Sequence, residues 1–220
     1  MTGTSIQKRG SRVAAAVAAL GLLTGSLALA TDAAAQTQLG GTAFGSLVNA
    51  TGIVTQSPIA TLPATGGMNE GAAQSFGVPN TLSSSWLTAV TTGAVDDQKS
   101  SAQSTSEVED VNLLGGLITA ANVTAIASSY VSGTTRGSDA EGSGFVNLVV
   151  ASVPITTDQA PNTRMGLPGV GYVILNEQIR SGDGVTSSGI TVNMIHVVLQ
   201  SALGVRTGEI IVGSAASSVK

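Results

Sequence analysis

His196 is the only histidine in the chain, and so the one side chain whose unperturbed pKa suits general base work near neutral pH. A Ser/His/Asp hydrolase would have to be built on it, and serine is abundant. Its neighbours argue otherwise. His196 sits in an apolar run with Met194, Ile195, Val197 and Val198, and no G-x-S-x-G turn supplies a placed nucleophile. The expectation is a hydrogen-bonded structural histidine. One histidine excludes a multi-histidine metal site. The absence of cysteine excludes thiol catalysis, thiolate metal sites and disulfides.

Carboxylates are the next chemistry to weigh, because a glycosidase needs two of them flanking a cleft. In an extended segment Glu107 and Glu109 share one face, with Asp110 on the other. Glu177 stands near the end of an apolar segment between Asn176 and Gln178, where a solvated rim residue is expected. Sugar clefts are commonly lined by aromatic rings, and this chain has one Trp, two Tyr and three Phe. Trp86 therefore reads as a core or rim anchor. Ser138-Asp139-Ala140-Glu141 and Ser181-Gly182-Asp183-Gly184 are oxygen-rich enough to suggest calcium, but neither completes a calcium-loop pattern, and ordinary turns are expected. No phosphate-binding glycine motif is present. Asn49-Ala50-Thr51 and Asn122-Val123-Thr124 match the glycosylation sequon. No catalytic, cofactor-binding or metal-binding residue is assigned, no cofactor is expected, and the protein is expected not to be an enzyme.

The elements that must position these residues read as β-strands. Charged residues make up 10% of the chain and hydrophobic ones 42%, with 28 glycines, so Ser, Thr, Asn and Gln fill the polar remainder. Thr and Val suit pleated surfaces and glycine suits turns, whereas long helices draw on Glu, Lys, Arg and Leu. Gln36 to about Thr55 reads as core-bearing, with Phe44, Leu47, Val48, Ile53 and Val54 expected in the core, and Pro58 and Pro63 mark a connection or edge. Residues 64–77 read as an exposed loop. Residues 91–106 fit either a loop or a hydrophilic strand pair. Leu117 to Ala127 is read as strand on its β-branched content. Gly133 to Gly144 reads as a loop, Phe145 to Val153 as one apolar strand, and Pro154 to Pro168 as irregular. Gly171 to Ile179 follows as a strand, then a turn at Gly182-Asp183-Gly184. Ile190, Val192 and Met194 alternate with Thr191 and Asn193, and the run continues to Leu199. Glu209 to Val212 gives a last short strand before a Ser/Ala-rich end. Short strands between turn clusters predict an all-β fold, an antiparallel β-sandwich, with a β-barrel or a parallel β-helix as alternatives. Val111-Asn112-Leu113-Leu114, Val146-Asn147-Leu148-Val149 and Val192-Asn193-Met194-Ile195 form a faint internal echo, as do the two Pro-Asn-Thr segments at 79–81 and 161–163.

Residues 1–30 read as an export signal. Lys8, Arg9 and Arg12 precede the small-apolar run from Val13 to Leu23, and Ala28-Leu29-Ala30 offers a cleavage site, with Ala33-Ala34-Ala35 as the alternative. The run is interrupted by Thr24, Gly25 and Ser26, so cleavage is expected rather than stable membrane insertion. Residues 36–220 are expected to form a single β-rich domain. Beyond Ala30 the chain carries six basic and 13 acidic residues, a net charge of −7, with no Lys/Arg cluster. That balance argues against nucleic acid and anionic lipid as partners.

The segment Glu109-Asp110-Val111-Asn112-Leu113-Leu114, followed by Gly116-Leu117-Ile118-Thr119-Ala120, resembles the central block of the choice-of-anchor P family of exported bacterial surface proteins. Ala160-Pro161-Asn162-Thr163, Leu167-Pro168-Gly169, Val173 to Gln178 and Thr191 to Val197 extend the likeness over about residues 40 to 213. The resemblance implies a secreted, β-rich protein of the cell surface or extracellular matrix with no established activity. The chain ends at Ser217-Ser218-Val219-Lys220 without a sorting motif, so free secretion or retention through a partner is expected. The function expected is a non-enzymatic structural or interaction protein that associates with itself or with another surface component. A carbohydrate-binding module, calcium-assisted, is the alternative, and a hydrolase the third reading.

Overall fold

The computed structural model describes residues 37–50, 52–96 and 98–220, so the export signal lies outside the described residues. Fourteen strands follow one another: β1 (Leu39–Ala50), β2 (Ile53–Thr61), β3 (Gly67–Val78), β4 (Leu82–Val95), β5 (Lys99–Leu113), β6 (Ile118–Ser132) and β7 (Thr135–Asp139). The second half holds β8 (Gly144–Val146), β9 (Leu148–Val150), β10 (Val153–Ile155), β11 (Thr163–Leu167), β12 (Gly171–Ser181), β13 (Ser188–Gln200) and β14 (Arg206–Val219). One sheet has the order β11-β12-β13-β14-β1-β2, and the other β10-β9-β6-β5-β4-β3, with β7 and β8 also on β6. Every pairing is antiparallel. The two open sheets pack as a β-sandwich, and neither the barrel nor the β-helix forms. Residues Gln36–Lys220 make one compact unit.

The core lies between the sheets. Val173, Leu175, Val192, Ile195, Val197, Ile210 and Val212 face Leu87, Val108, Leu113, Ile118, Val123 and Leu148 in one continuous apolar cluster. Towards β1, β4 and β5 the filling changes to small residues, and Ala43, Ala60 and Ala89 form their own buried cluster. Serines join the sheets there. Ser104 Oγ donates to the Ala216 carbonyl at 2.6 Å, Ser106 Oγ to the Phe44 carbonyl at 2.8 Å, and Ser129 and Ser217 share a 2.7 Å hydroxyl contact. Buried hydroxyls are tolerated where they find such a partner, and among the described residues Ser46 Oγ is the one buried without one. The low-charge, Ser/Ala-rich composition is thus an interior property as well as a surface one.

Several local readings change. Of the core residues expected between Gln36 and Thr55 only Val48 is buried, because Phe44 and Leu47 alternate to the outer face of β1 and Ile53 and Val54 open edge strand β2, where both are exposed. Residues 64–77 are not a loop. They form most of edge strand β3, whose outer face is exposed and whose sequence therefore lacks an apolar alternation. The hydrophilic stretch 91–106 resolves to the strand pair of its two readings, as the β4–β5 hairpin, with Thr91, Ser100, Ala102, Ser104 and Ser106 as its inward residues. Phe145 to Val153 is broken into β8, β9 and the start of β10, because Asn147, Ala151 and Ser152 take left-handed backbone at φ 54°, 49° and 65°. The segments 133–144 and 154–168 contain β7 and β11. The last strand does not stop at Val212. β14 runs on to Val219 as a central strand between β1 and β13, and its Ser/Ala end is buried by the small-residue part of the sandwich. The Val-Asn-apolar-apolar segments occupy three unlike settings: a strand end, the β8–β9 break and the middle of β13. They mark a strand preference, not a repeat unit. Asn80 and Asn162 do share a left-handed backbone, at φ 57° and 62°.

A further feature governs where side chains point. In both sheets the inward–outward alternation reverses along a line crossing several strands. Inward positions in β13 run Ile190, Val192, Met194 and then Ile195, Val197. In β1 they run Gly41, Ala43, Gly45 and then Ser46, Val48. Gly213, at φ 66°, marks the same line in β14. In the other sheet the doubled positions point outward: Ser85–Trp86 in β4, Glu109–Asp110 in β5 and Ala121–Asn122 in β6. Paired irregularities between Ser83 and Leu87 carry that reversal.

Candidate functional site

The reversal in β13 makes Asn193 and His196 successive positions on the outer face of their sheet. Both reach one carboxylate oxygen. Asn193 Nδ2 donates to Glu177 Oε2 at 2.7 Å, and His196 Nδ1 lies 2.9 Å from the same atom. On the other side of the ring, His196 Nε2 lies 3.0 Å from Glu209 Oε2. Glu177 comes from β12, directly opposite Asn193 in register, and Glu209 comes from β14. The imidazole thus ties three adjacent strands.

The surrounding groups close the arrangement. Arg206 Nη2 donates to Glu209 Oε2, and Asn49 Nδ2 reaches Glu209 Oε1 at 3.4 Å from β1. Ser214 Oγ donates to Asn193 Oδ1 at 2.7 Å, which fixes the amide orientation that serves Glu177. Glu177, His196, Glu209 and Arg206 form a chain of alternating charge that sums to zero when the ring is doubly protonated. A neutral imidazole has one N–H, so one of its two carboxylate contacts would set lone pair against lone pair. The geometry therefore calls for the imidazolium.

Electrostatics agree with the geometry. Burial works against a charged ring, but the hydrogen bond and charge of Glu177, with Glu209 behind them, hold the His196 pKa above its ordinary value. Burial alone would raise Glu177. The hydrogen bonds from His196 and Asn193 and the charges of His196 and Arg206 bring it below its ordinary value instead. The His196 and Glu177 side chains are only 12% and 13% exposed, although they belong to a solvent-facing sheet surface.

This arrangement has little chemistry left to offer. Both ring nitrogens are engaged by carboxylates, and among the described residues no serine or threonine hydroxyl bonds to the ring. The carboxylates sit on opposite edges of the imidazole, and among the described residues no three His, Asp or Glu converge as a metal set. His196 is hydrogen-bonded at both ring nitrogens, in keeping with the bonding expected of a histidine in so apolar a run. Glu177 is not a solvated rim residue. It lies within β12 and its carboxylate is the hub of the network. Sequence reasoning singled out His196 and Glu177 separately and missed Asn193, Glu209, Ser214 and Arg206. The signal was present, because an antiparallel β13–β14 register sets Asn193 opposite Ser214 and brings Glu209 within two residues of the partner of His196.

The remaining candidates are dispersed. Glu107 and Glu109 do share a face, but Asp110 joins them there rather than opposing them, because its φ of 50° reverses the strand's alternation. Trp86 is not in the core. It is 56% exposed on the outer face of β4. Asp139 accepts from the Glu141 amide at 3.1 Å. The Asp183 carboxylate accepts from the Thr186 hydroxyl and from the Val185, Thr186 and Ser187 amides at 2.7–2.9 Å. Those bonds, the Thr186 hydroxyl first, hold its pKa well below the usual carboxylate range. Both acids accept from amides of their own turns, Asp183 with both oxygens engaged and Asp139 through Oδ1. Replacing Asp183 with Ala should speed amide hydrogen exchange at Val185, Thr186 and Ser187 and leave the β13 core amides unchanged. Unchanged exchange at those three amides would refute the assignment.

No family model, no curated protein and no solved structure matches this chain.

Proposed function

We propose that this chain is an exported, non-enzymatic structural or interaction protein that works at a cell surface or in an extracellular matrix. One observation carries the reading: the most extensive network of ionisable groups among the described residues, half-buried at its centre, is closed on itself. His196 spends both nitrogens on carboxylates, and the network ties strands together on an open sheet face instead of lining a cleft. A protein so built offers faces and edges rather than a reaction centre.

The edges narrow this further. Edge strand β2 carries Pro58 and edge strand β10 carries Pro154, residues that block ladder extension. Ladder growth is thereby discouraged at these two of the four sheet edges, while edge strands β3 and β11 carry no proline and the sheet faces stay open as well. The basic, apolar and small-residue succession of residues 1–30 supports export, and the likeness to choice-of-anchor P proteins supports a surface setting.

The test is fractionation of bacterial cells producing the full chain with an epitope tag. The expected result is a shortened polypeptide outside the cytoplasm, with a fraction held on the cell surface or matrix. Recovery only in the cytoplasm at full length would overturn export. Recovery as a strict monomer that no surface component retains would overturn the interaction role.

A further inference from the structure

The doubled outward positions of β4, β5 and β6 form a band across the second sheet. Ser85 of β4 pairs with Glu109 of β5, which pairs with Asn122 of β6. Trp86 is the protein's only tryptophan, and the band presents it to solvent. Its φ of 40° is a conformation that bulky residues rarely adopt. A large aromatic held outward on a flat face adds nothing to the core.

The charge around Trp86 is of one sign. Glu107, Glu109 and Asp110 stand on the same face and enter none of the ion pairs among the described residues. Glu107 accepts only a neutral amide, from Asn122 at 2.9 Å, and Asp110 only the Ser85 hydroxyl at 2.7 Å. The one cation on β5 is Lys99, eight residues away at the strand's other end. The face therefore joins an aromatic ring, which attracts cations over its plane, to three carboxylates without counter-charge. The protein uses the first of these contacts on its other sheet, where the Arg164 guanidinium lies 3.6 Å from the centre of the Tyr172 ring.

We infer that this face docks a basic, extended segment of a partner protein, with an arginine over Trp86 and further Lys or Arg side chains on Glu107, Glu109 and Asp110. The inference rests on the interaction-protein reading and names its surface. Charge complementarity selects the occupant. Glu107 and Glu109 are two residues apart, so their repeat along the strand is about 6.8 Å, the same repeat at which an extended peptide presents alternate side chains. Arginine suits the ring position because its planar guanidinium stacks as well as pairs.

Because Trp86 is the only tryptophan, its fluorescence reports this face directly. The probe is a labelled peptide alternating Arg or Lys with Thr over eight residues, added to the protein at low salt. The expected result is a saturable change in Trp86 emission, matched by a rise in peptide anisotropy. Raising salt to 0.5 M should weaken binding about tenfold or more. Trp86→Leu and the isosteric pair Glu107→Gln/Glu109→Gln should each weaken the anisotropy signal about tenfold, with unchanged circular dichroism. Absence of peptide binding, or binding that Trp86→Leu leaves intact, would overturn the inference. A Trp86 response to a neutral glucan in place of the peptide would overturn it in favour of a sugar platform. The fractionation test separates the two levels. A Trp86→Leu protein still held at the surface removes this face but keeps the interaction role, whereas a parent protein held nowhere removes both.

Discussion

His196→Ala should lower the melting temperature by roughly 5–10 °C at pH 6, and by much less at pH 9. The substitution leaves Glu177 and Glu209 as two carboxylates on a largely covered surface without the cation between them. Removing one partner of a buried pair costs about 3–5 kcal/mol, and partial exposure reduces this to about 2–4 kcal/mol. For a domain of this size each kcal/mol moves the midpoint by about 2–4 °C. The pH dependence follows from the direction of the shift. The folded state holds the His196 proton more tightly than the unfolded chain does. The network's full contribution is therefore present below the unfolded histidine pKa of about 6.5, and it is lost as pH rises through the higher folded value. Glu177 limits the other side. Its folded pKa is lowered, so its contribution is present above the unfolded value of about 4.3 and is lost as pH falls through the folded one. Thermal melts of the parent and of His196→Ala from pH 4 to pH 9 should converge on the alkaline side. Parallel curves would refute the imidazolium. The single histidine also gives one set of ring resonances, so a nuclear magnetic resonance titration should show an apparent pKa above 6.5 in the folded protein.

What the sequence made legible follows from how each signal is written. Strand content was readable because Val, Ile and Thr runs bounded by glycine are local facts, and Leu117 to Ala127 resolved to strand β6 on that basis. Strands with polar interiors were hidden. β3 and the β4–β5 hairpin carry Ser, Ala, Gly and Thr where a sandwich core ordinarily puts branched apolar residues, and such residues bury well only where the opposite sheet is also small. Ser104 and Ser106 become core residues because Ala216 and Phe44 carbonyls await them across the gap, and no local pattern encodes that. The network around His196 was half legible. Its histidine and one acid stood out by type, but Glu209 and Arg206 belong to it through strand register and the reversal of alternation. Period-two reasoning assigns Asn193 and His196 to opposite faces, since they are three residues apart. The structure puts them on one face because the reversal falls between them.

That reversal is testable at Gly213, where substitution by Ala should cost about 2–5 kcal/mol. Two effects add. The backbone there is left-handed, at φ 66°, which costs an L-residue with a Cβ about 1–2 kcal/mol. A Cβ would also stand 2.8 Å from Val123 Cγ1 of the opposite sheet, in a part of the core where Val123 is fully buried. Overpacking of that kind adds about 1–3 kcal/mol. The position matters beyond stability. Gly213 lies between Val212, which faces the core, and Ser214, whose hydroxyl orients Asn193 toward Glu177. If β14 relieves the strain by restoring regular alternation, Ser214 turns away, Asn193 loses its anchor and the carboxylate hub loosens. Gly213→Ala should then shift the His196 ring resonances and lower its apparent pKa, although the substituted residue does not touch the ring. Ser214→Ala is the control that keeps the backbone and removes only the anchor. It should lower the His196 pKa in the same direction with a smaller loss of melting temperature. A destabilised Gly213→Ala protein with an unmoved His196 titration would show that the reversal and the network are independent. A shift in both variants would show that one glycine sets the geometry of the charged network that joins three central strands.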